Sequence, residues 1–162
     1  MTDFTPRGSF KVESGAMRVT DPCYDTSVWC SGQLDNVRDG IWDAFVKESD
    51  ESDWGVRNAE LIVIHENAKL TPQDVSDKPG EAAEFEVGVD AGQAGFFDLK
   101  YYTETCDEGG RPIDDVPNHS GMGVSCSSGF GDGGYTCFTH RHMHNGEIIA
   151  AKIVFITDEK EE

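Results

Sequence analysis

The feature that most limits the fold of this chain is the shortness of its apolar segments. Val, Ile, Phe and Tyr alternate with polar residues over short stretches, and turn-forming pairs such as Ser14-Gly15, Asp39-Gly40 and Asn145-Gly146 interrupt them. Alternation with a period of two is typical of half-buried strands, and long stretches with helical periodicity are absent. We therefore expect an all-β or mainly β fold, a compact antiparallel sandwich or partly open barrel with at most one or two short helices.

The length of 162 residues suits one domain with a substantial core, so we expect a single domain over residues 1–162 with frayed ends at 1–7 and 157–162. The longest apolar stretches, such as residues 61–64, fall far short of the roughly 20 residues that a membrane-spanning helix needs. Residues 1–7 also lack the basic start and apolar stretch of a secretory signal. These features predict a cytoplasmic protein with no membrane partner.

Two hairpins are predicted in enough detail to specify a register. Ser14-Gly15 is expected to form a two-residue turn, and Asn145-Gly146 is the preferred pair for a type I′ turn. Such turns would pair these residues: Phe10 with Val19 and Val12 with Met17 in the first hairpin, and His144 with Glu147, His142 with Ile149, His140 with Ala151 and Phe138 with Ile153 in the second.

Further elements follow from local patterns. A strand over residues 41–47 is expected to pass through the acidic turn 48–53 and to pair with a strand over residues 59–65. Apolar residues alternate with polar ones from 84 to 89, which predicts another half-buried strand. Residues 103–120 are acidic and rich in Gly and Pro, and we interpret them as a long loop that either is mobile or faces a partner.

One short helix is also expected. Thr71 followed by Pro72 has the character of an N-cap and a first helical residue. Pro79-Gly80 would end such a helix after about two turns.

Charge limits the partners of this chain. Thirteen Lys and Arg residues stand against 31 Asp and Glu residues, a formal net charge of -18, which repels nucleic acid and anionic membranes. A protein with a basic surface is the expected partner, and solubility alone is the alternative explanation of the charge. The acidity gathers in the 48–53 turn, the 104–115 loop and the tail, so the partner-contact candidates are Asp50, Glu51, Asp53, Asp107 and Glu108.

The cysteine count points to thiols. The five residues Cys23, Cys30, Cys106, Cys126 and Cys137 contain no C-x-x-C pair, which disfavours thioredoxin-like chemistry and a zinc ribbon. A cytosolic protein keeps its cysteines reduced. We expect structural or incidental thiols.

Three histidines offer the sharpest chemical motif. His140, His142 and His144 alternate, so on one strand they would share a face, where two of them could hold a divalent metal. Cys137 would lie on the opposite face. A solvated hairpin tip without a cofactor and a pH-sensitive contact surface are the alternatives.

Three other motifs for functional sites are incomplete in this sequence. A calcium loop starting at Asp50 would need an oxygen ligand at Trp54 and a glutamate at Leu61. The glycine-rich stretches over 88–95 and 129–134 lack the Lys-Ser/Thr pair and the following helix of phosphate-binding loops. The sequence around Ser125 lacks the second glycine of a nucleophile elbow.

Three segments resemble a family of bacterial and phage proteins known only as a domain of unknown function. They are Asp-Pro-Cys-Tyr at 21–24, Val-Asp-Ala-Gly-Gln-Ala-Gly-Phe-Phe-Asp at 89–98 and Ser-Gly-Phe-Gly-Asp-Gly-Gly-Tyr at 128–135, followed by the carboxyl-terminal hairpin. The resemblance implies a compact β-rich fold with these segments near its functional or structural centre. It implies no activity, and no catalytic residue carries over.

These three segments contain the candidate ligand or partner residues: Asp21, Tyr24, Asp90, Gln93, Asp98, Asp132 and Tyr135. The alternative is structural, with Asp90, Asp98 and Asp132 accepting backbone N–H groups in tight corners. Two functions follow. The first is a non-enzymatic binding or inhibitor protein, phage-encoded in one version, that acts on a basic host protein. The second is a metal-binding, small-ligand-binding or enzymatic protein that gathers these aspartates and the histidines in one cleft.

Overall fold

A computed structural model describes residues 4–21, 32–77, 82–89, 92–106, 121–129 and 131–156. Within them the elements are β1 (Phe4–Val12), β2 (Ala16–Thr20), β3 (Gly32–Asp35), β4 (Gly40–Asp50), β5 (Val56–His65), α1 (Pro72–Asp77), β6 (Ala82–Val89), β7 (Gln93–Asp98), α2 (Leu99–Cys106), β8 (Gly123–Ser127), β9 (Gly133–Arg141) and β10 (Ile148–Val154), with one 3-10 turn at Ser52–Trp54. In this described part, neither helix is long and apolar enough to cross a membrane.

The strands form two antiparallel sheets. The large sheet has the order β1-β4-β5-β10-β9-β6, and the small sheet has the order β3-β2-β7-β8. The predicted mainly β fold is therefore confirmed in its sandwich form, with two short helices, and the sheets are not closed into a barrel.

One apolar core fills the space between the sheets. Its largest fully buried side chains are Phe10, Trp42, Leu61, Ile148 and Ile153 from the large sheet and Met17, Leu34 and Phe96 from the small sheet. Each such side chain contributes about 1.5–3 kcal/mol through removal from water. The Trp42 indole N–H donates to the backbone carbonyl of Arg38 (2.9 Å), so the core tryptophan keeps a hydrogen-bond partner.

The predicted amino-terminal hairpin is wrong. β1 pairs with β4, and β2 pairs with β3 and β7, so the corner at Ser14-Gly15 carries the chain from the large sheet to the small one. Phe10 and Val19 are both buried, as the pattern required, but they face the core from opposite sheets. Alternation specifies which side chains are buried and leaves open whether two strands pair or face each other.

The carboxyl-terminal hairpin is confirmed, but its turn and register are wrong. His140 lies opposite Ala150 and Phe138 opposite Lys152, one position from the predicted register, with an irregularity between Ile148 and Ala150. Gly146 has φ of +73°, whereas Asn145 lacks the positive φ that a type I′ turn requires. A wider loop closes instead, because the His142 N–H donates to Glu147 (2.7 Å) and the Gly146 N–H donates to His142 (2.9 Å).

The predicted pairing of the central strands is confirmed. β4 and β5 are antiparallel neighbours, with Trp42 opposite His65 and Lys47 opposite Glu60. β6 is also a strand, and its Val87 and Val89 are buried. Residues 4–7 form the start of β1, so the part of the predicted frayed terminus that the structure describes is a strand.

The short helix after Thr71 is confirmed and covers the outer face of the large sheet. The Thr71 hydroxyl accepts the Asp74 amide (3.1 Å), and the Asp74 carboxylate accepts the Thr71 amide (2.9 Å), which forms a reciprocal cap. Val75 packs on Ile62, Ile64 and Ala150. Pro79-Gly80, the predicted end of this helix, lies outside the described residues.

β7 and α2 were not predicted from the sequence, and the predicted loop over 103–120 is wrong at 103–106, which belong to α2, while 107–120 lie outside the described residues. β7 begins in a glycine-rich stretch that favours a loop, and its Gly95 is there because a Cβ would come within 2.1 Å of the Val124 carbonyl oxygen. α2 places Tyr102 against Phe97, with ring centroids 4.9 Å apart. Tertiary packing therefore overrides weak local preferences in both elements.

Two of the five cysteines lie in the core between the sheets. Cys126 and Cys137 are free thiols and are buried, as expected for structural residues. Burial raises the pKa of Cys126 to about 12, against the opposing effects of Arg7 and a hydrogen bond from Asn58. Burial also raises the pKa of Cys137, with a further increase from the Glu84 charge. Cys23 and Cys30 lie outside the described residues.

Candidate functional site

The acidic turn, residues 48–53, comprises the end of β4 at 48–50 and part of the ordered connection 51–55 to β5, so the predicted turn is partly strand. The Glu51 amide donates to the Gly55 carbonyl (2.9 Å), and the Gly55 amide donates back to Ser52 (3.0 Å). Within the turn the Asp50 carboxylate accepts the Ser52 amide (3.0 Å), and the Ser49 hydroxyl donates to the Glu51 carboxylate. The turn therefore holds the carboxylates of Asp50 and Glu51 in defined positions.

The carboxylates of the acidic turn face solvent. Glu48, Asp50 and Asp53 are exposed and Glu51 is half-buried. The ion pairs found among the described residues involve other carboxylates, those of Glu13, Glu60, Glu84 and Glu147. The negative potential of this turn is therefore available to a partner.

Asp132 lies at the same end of the sandwich as the acidic turn. Asn58, two residues into β5, donates its side-chain amide to the Ser127 carbonyl (2.9 Å), which joins the base of the turn to the end of β8. In the loop that follows, the hydroxyls of Ser128 and Tyr135 both donate to the Gly131 carbonyl, at 2.8 and 2.7 Å. The next residue, Asp132, is thereby held in an exposed position.

Tyr135 is half-buried beneath this loop. Its ring meets Phe155 edge to face, with centroids 5.2 Å apart. Burial raises the pKa of Tyr135, the Asp132 charge raises it further, and a hydrogen bond with Ser128 opposes them. Tyr135 therefore remains a neutral donor near neutral pH, which fits a structural role.

Asp98 and Asp21 are interior residues. Asp98 is 1% exposed, and its carboxylate accepts the amides of Glu13, Ser14 and Tyr101 together with the Ser14 hydroxyl. The structural alternative for this residue is confirmed. Asp21 is fully buried at the end of β2, where its backbone carbonyl accepts the hydroxyls of Thr20 and Tyr102.

Those candidate aspartates and histidines that the structure describes do not gather in one cleft. β7 has 6 residues, with Gln93 at its first position and Asp98 at its last. At the usual rise per strand residue, Gln93 and Asp98 lie about 17 Å apart. Asp132 follows β8, whose Ser127 lies opposite Gln93, and is therefore at the end away from Asp98. His140 lies opposite Ala150, which packs beneath α1 on the outer face of the large sheet.

Four further candidates lie outside the described residues: Tyr24, Asp90, Asp107 and Glu108.

The three histidines do not share one strand face. β9 ends at Arg141, so the buried His140 belongs to the strand while His142 and His144 belong to the loop. The imidazole centroids of His142 and His144 are 5.5 Å apart. Within the described residues, no group of three His, Cys, Asp or Glu side chains is arranged to hold a metal ion.

A hydrogen bond determines which nitrogen of His142 carries the proton. The His144 amide donates to Nδ1 of His142 (3.2 Å), so in the neutral ring the proton is on Nε2. A metal bound at Nε2 would displace that proton to Nδ1, where it would face the His144 N–H. This loop conformation suits a hydrogen-bond donor better than a metal ligand.

These side chains border a pocket of about 580 Å³ on the outer side of the large sheet. It is lined by Leu70, His140, Arg141, His142, Met143, His144 and Ile149. Leu70 and Ile149 were not identified as site residues, because Leu70 is distant in sequence and Ile149 carries no chemical signal. Met143 and Arg141, which interleave the histidines, could have been found from the sequence.

The loop beside the pocket is anchored to the segment between β3 and β4. Arg38 donates to the Glu147 carboxylate (2.8 Å), and the Asn36 side chain donates to the Gly146 carbonyl (3.0 Å). The hydrogen bond from Arg38 is the main reason why the pKa of Glu147 is lowered. The pocket therefore has a wall fixed by contacts more than 100 residues apart in sequence.

Comparisons with protein-family models, with curated proteins and with solved structures find no significant match to this chain. The resemblance to a domain-of-unknown-function family therefore stays a prediction. The geometry of the acidic turn and of the histidine-lined pocket is the basis for assigning a function.

Proposed function

We propose that this chain is a small, non-enzymatic binding protein of the cytoplasm that engages a basic protein surface through its acidic turn. The observation that carries the proposal is an ordered turn whose exposed carboxylates lie outside the ion pairs found among the described residues. In the version suggested by the family resemblance, a phage encodes the protein and its partner is a basic host protein, which it inhibits.

Electrostatics favours such an encounter. The net charge of -18 attracts a basic surface over long distances, and steering of this kind raises association rates by about 10- to 1000-fold at low salt. Asp132 adds a further exposed carboxylate at the same end of the sandwich. Because backbone hydrogen bonds close the turn, little backbone conformational entropy is lost when a partner binds.

The positions and hydrogen bonds of the candidate residues support the proposal that the protein binds a partner without catalysing a reaction. Asp98 has its acceptor sites occupied by backbone and hydroxyl donors, and Tyr135 donates to a backbone carbonyl. Asp98 and Asp132 lie at opposite ends of the small sheet. These positions favour a structural role for Asp98 and a surface-charge role for Asp132.

The test neutralises the acidic turn and compares it with an equal charge change elsewhere. The test variant is the triple substitution Asp50→Asn, Glu51→Gln and Asp53→Asn; the control is Glu13→Gln, Asp35→Asn and Glu66→Gln, at the opposite end. Partners captured from host lysate are quantified at two salt concentrations, with a lysine-rich peptide as a defined probe.

We expect the test variant to lose the captured partner and the control variant to retain it. Capture by the unmodified protein should also fall steeply with salt, because exposed charges are screened beyond about 8 Å at physiological ionic strength. Equal loss in both variants would show that net charge alone is responsible. Capture that is independent of salt, or no capture at all, would refute the proposal.

A further inference from the structure

The pocket beside the carboxyl-terminal loop has an unusual lining for so acidic a chain. Acidic residues outnumber basic ones 31 to 13 overall, yet the described residues that line the pocket include one arginine, three histidines and no carboxylate. Leu70 and Ile149 add apolar surface. A pocket with a few polar groups on apolar walls is the usual form of a small-molecule site, and about 580 Å³ falls within the common range of roughly 300–1,000 Å³.

The hydrogen bond between His142 and His144 determines whether the pocket favours a ligand that donates or one that accepts hydrogen bonds. Since Nδ1 of His142 accepts the His144 amide, Nε2 carries a proton and is a donor. The His144 ring lies next to it, with centroids 5.5 Å apart, and is exposed. A neighbouring donor and a second imidazole match a ligand with acceptor oxygens.

Two carboxylates bound to residues of the pocket or of its loop are already paired. Glu84 accepts from Arg141 (3.1 Å) and from Thr139 (2.7 Å), and Glu147 accepts from Arg38 (2.8 Å). Their charges are therefore compensated locally. The more distant negative charge of the molecule is screened over about 8 Å at physiological ionic strength, so the lining itself decides which ligand is favoured.

We propose that this pocket binds a small organic anion with an apolar body. The oxyanion accepts hydrogen bonds from Nε2 of His142 and from the His144 imidazole, and the apolar body lies against Leu70 and Ile149. Arg141 borders the site with its guanidinium bound to Glu84 and to the Gly146 carbonyl, so the imidazole donors and the apolar contacts hold the anion. A carboxylate and a phosphate ester both have this chemistry.

The experiment is a ligand titration of the full chain followed by NMR of the histidine side chains and backbone amides. Benzoate and phenyl phosphate are the anionic probes, and benzamide is the neutral control of similar shape. We expect saturable shifts of His142 and His144 with at least one anion and none with benzamide at equal concentration. The relative affinities of the two anions distinguish a carboxylate site from a phosphate site.

Substitutions locate the binding groups. His142→Ala is expected to weaken the affinity for the anion about tenfold or more, because a hydrogen bond to a charged group is lost. His142→Gln retains an N–H donor and should recover most of the affinity. Lys11→Ala, in the edge strand β1, should leave it unchanged, and unshifted amide signals elsewhere show that each variant is folded.

Three results would overturn the proposal. Equal binding of benzamide and benzoate would make the pocket an apolar site. Stoichiometric binding of Zn²⁺ that shifts the same histidines and displaces the anions would make it a metal site. No saturable shift with any of the probes would leave it without a ligand function. The triple variant of the acidic turn should bind the anion normally, because the two sites are separate.

Discussion

The carboxylate of Asp98 binds Ser14 twice, at the backbone amide (3.0 Å) and at the side-chain hydroxyl (2.9 Å), although 84 positions separate them. Ser14 opens the corner where the chain leaves the large sheet for the small one. The same carboxylate accepts the Glu13 amide (2.8 Å) and, through its other oxygen, the Tyr101 amide at the start of α2 (3.2 Å). The buried side chain of Asp98 thus links the corner between the two sheets to the end of β7.

Asp98→Ala should lower the free energy of unfolding by about 3 kcal/mol, because three backbone amides and a hydroxyl lose their acceptor. Urea denaturation monitored by tryptophan fluorescence measures the change. Asp132→Ala, which removes an exposed carboxylate, is the control and should change stability by less than about 0.5 kcal/mol. A similar small effect of both substitutions would contradict the structural role of Asp98.

Gly40→Ala should destabilise the protein for two separable reasons. Gly40 has φ of +128°, and a Cβ there would lie 2.7 Å from Nε2 of His65, which donates to the Asp39 carbonyl (2.8 Å). We expect a loss of about 2–4 kcal/mol, of which about 1–3 comes from the backbone. Gly8→Ala, at φ of +118° with no atom within 4 Å, measures the backbone part alone. Equal losses in the two variants would show that the contact with His65 is unimportant.

Cys126 and Cys137 should resist thiol reagents in the native protein. Both are buried, and the raised pKa of Cys126, about 12, keeps its thiol protonated even at pH 9. We expect Ellman's reagent to label at most three of the five thiols before unfolding and all five in denaturant. Mass spectrometry of the labelled peptides identifies the sites. Modification of either residue at a rate similar to that of a free thiol would refute this prediction.

The stabilisation contributed by Glu147 should disappear in acid. Its pKa is lowered mainly by the Arg38 hydrogen bond, so the folded state binds the proton more weakly than the unfolded state, whose pKa is near the usual 4.5. The contribution is complete above that value and is lost as pH falls through the lower folded pKa. Glu147→Gln should therefore be less stable than the unmodified protein at pH 7 and nearly equal to it at low pH.

A series of urea denaturations between pH 7 and pH 3 tests this expectation. Glu48→Gln, in the acidic turn, corrects for the general benefit of removing one negative charge from a chain of net charge -18. A difference between Glu147→Gln and the unmodified protein that does not depend on pH would mean that the ion pair with Arg38 does not stabilise the fold.

Whether a feature could be predicted depended on how far apart in sequence the interacting residues are. The pairing of β4 with β5 was predictable because a short acidic turn joins them, and the cap of α1 was predictable because Thr71 and Asp74 are three residues apart. The structural role of Asp98 was one of two alternatives, since an aspartate near a glycine-rich stretch fits both a ligand site and a corner. Only the positions of Ser14 and Tyr101 distinguish them.

The sequence by itself determined that this chain is mainly β, that the alternating apolar residues of β1 and β2 are buried, and where its negative charge is concentrated. These properties depend on periodicity and composition, which are local. Tertiary structure alone decided that β1 and β2 belong to different sheets, because the same alternation suits paired strands and facing strands. It also decided the one-residue shift of the last hairpin, which moved His142 and His144 into the loop. The pocket that they line needs Leu70, 70 positions away from His140, and no local pattern encodes that contact.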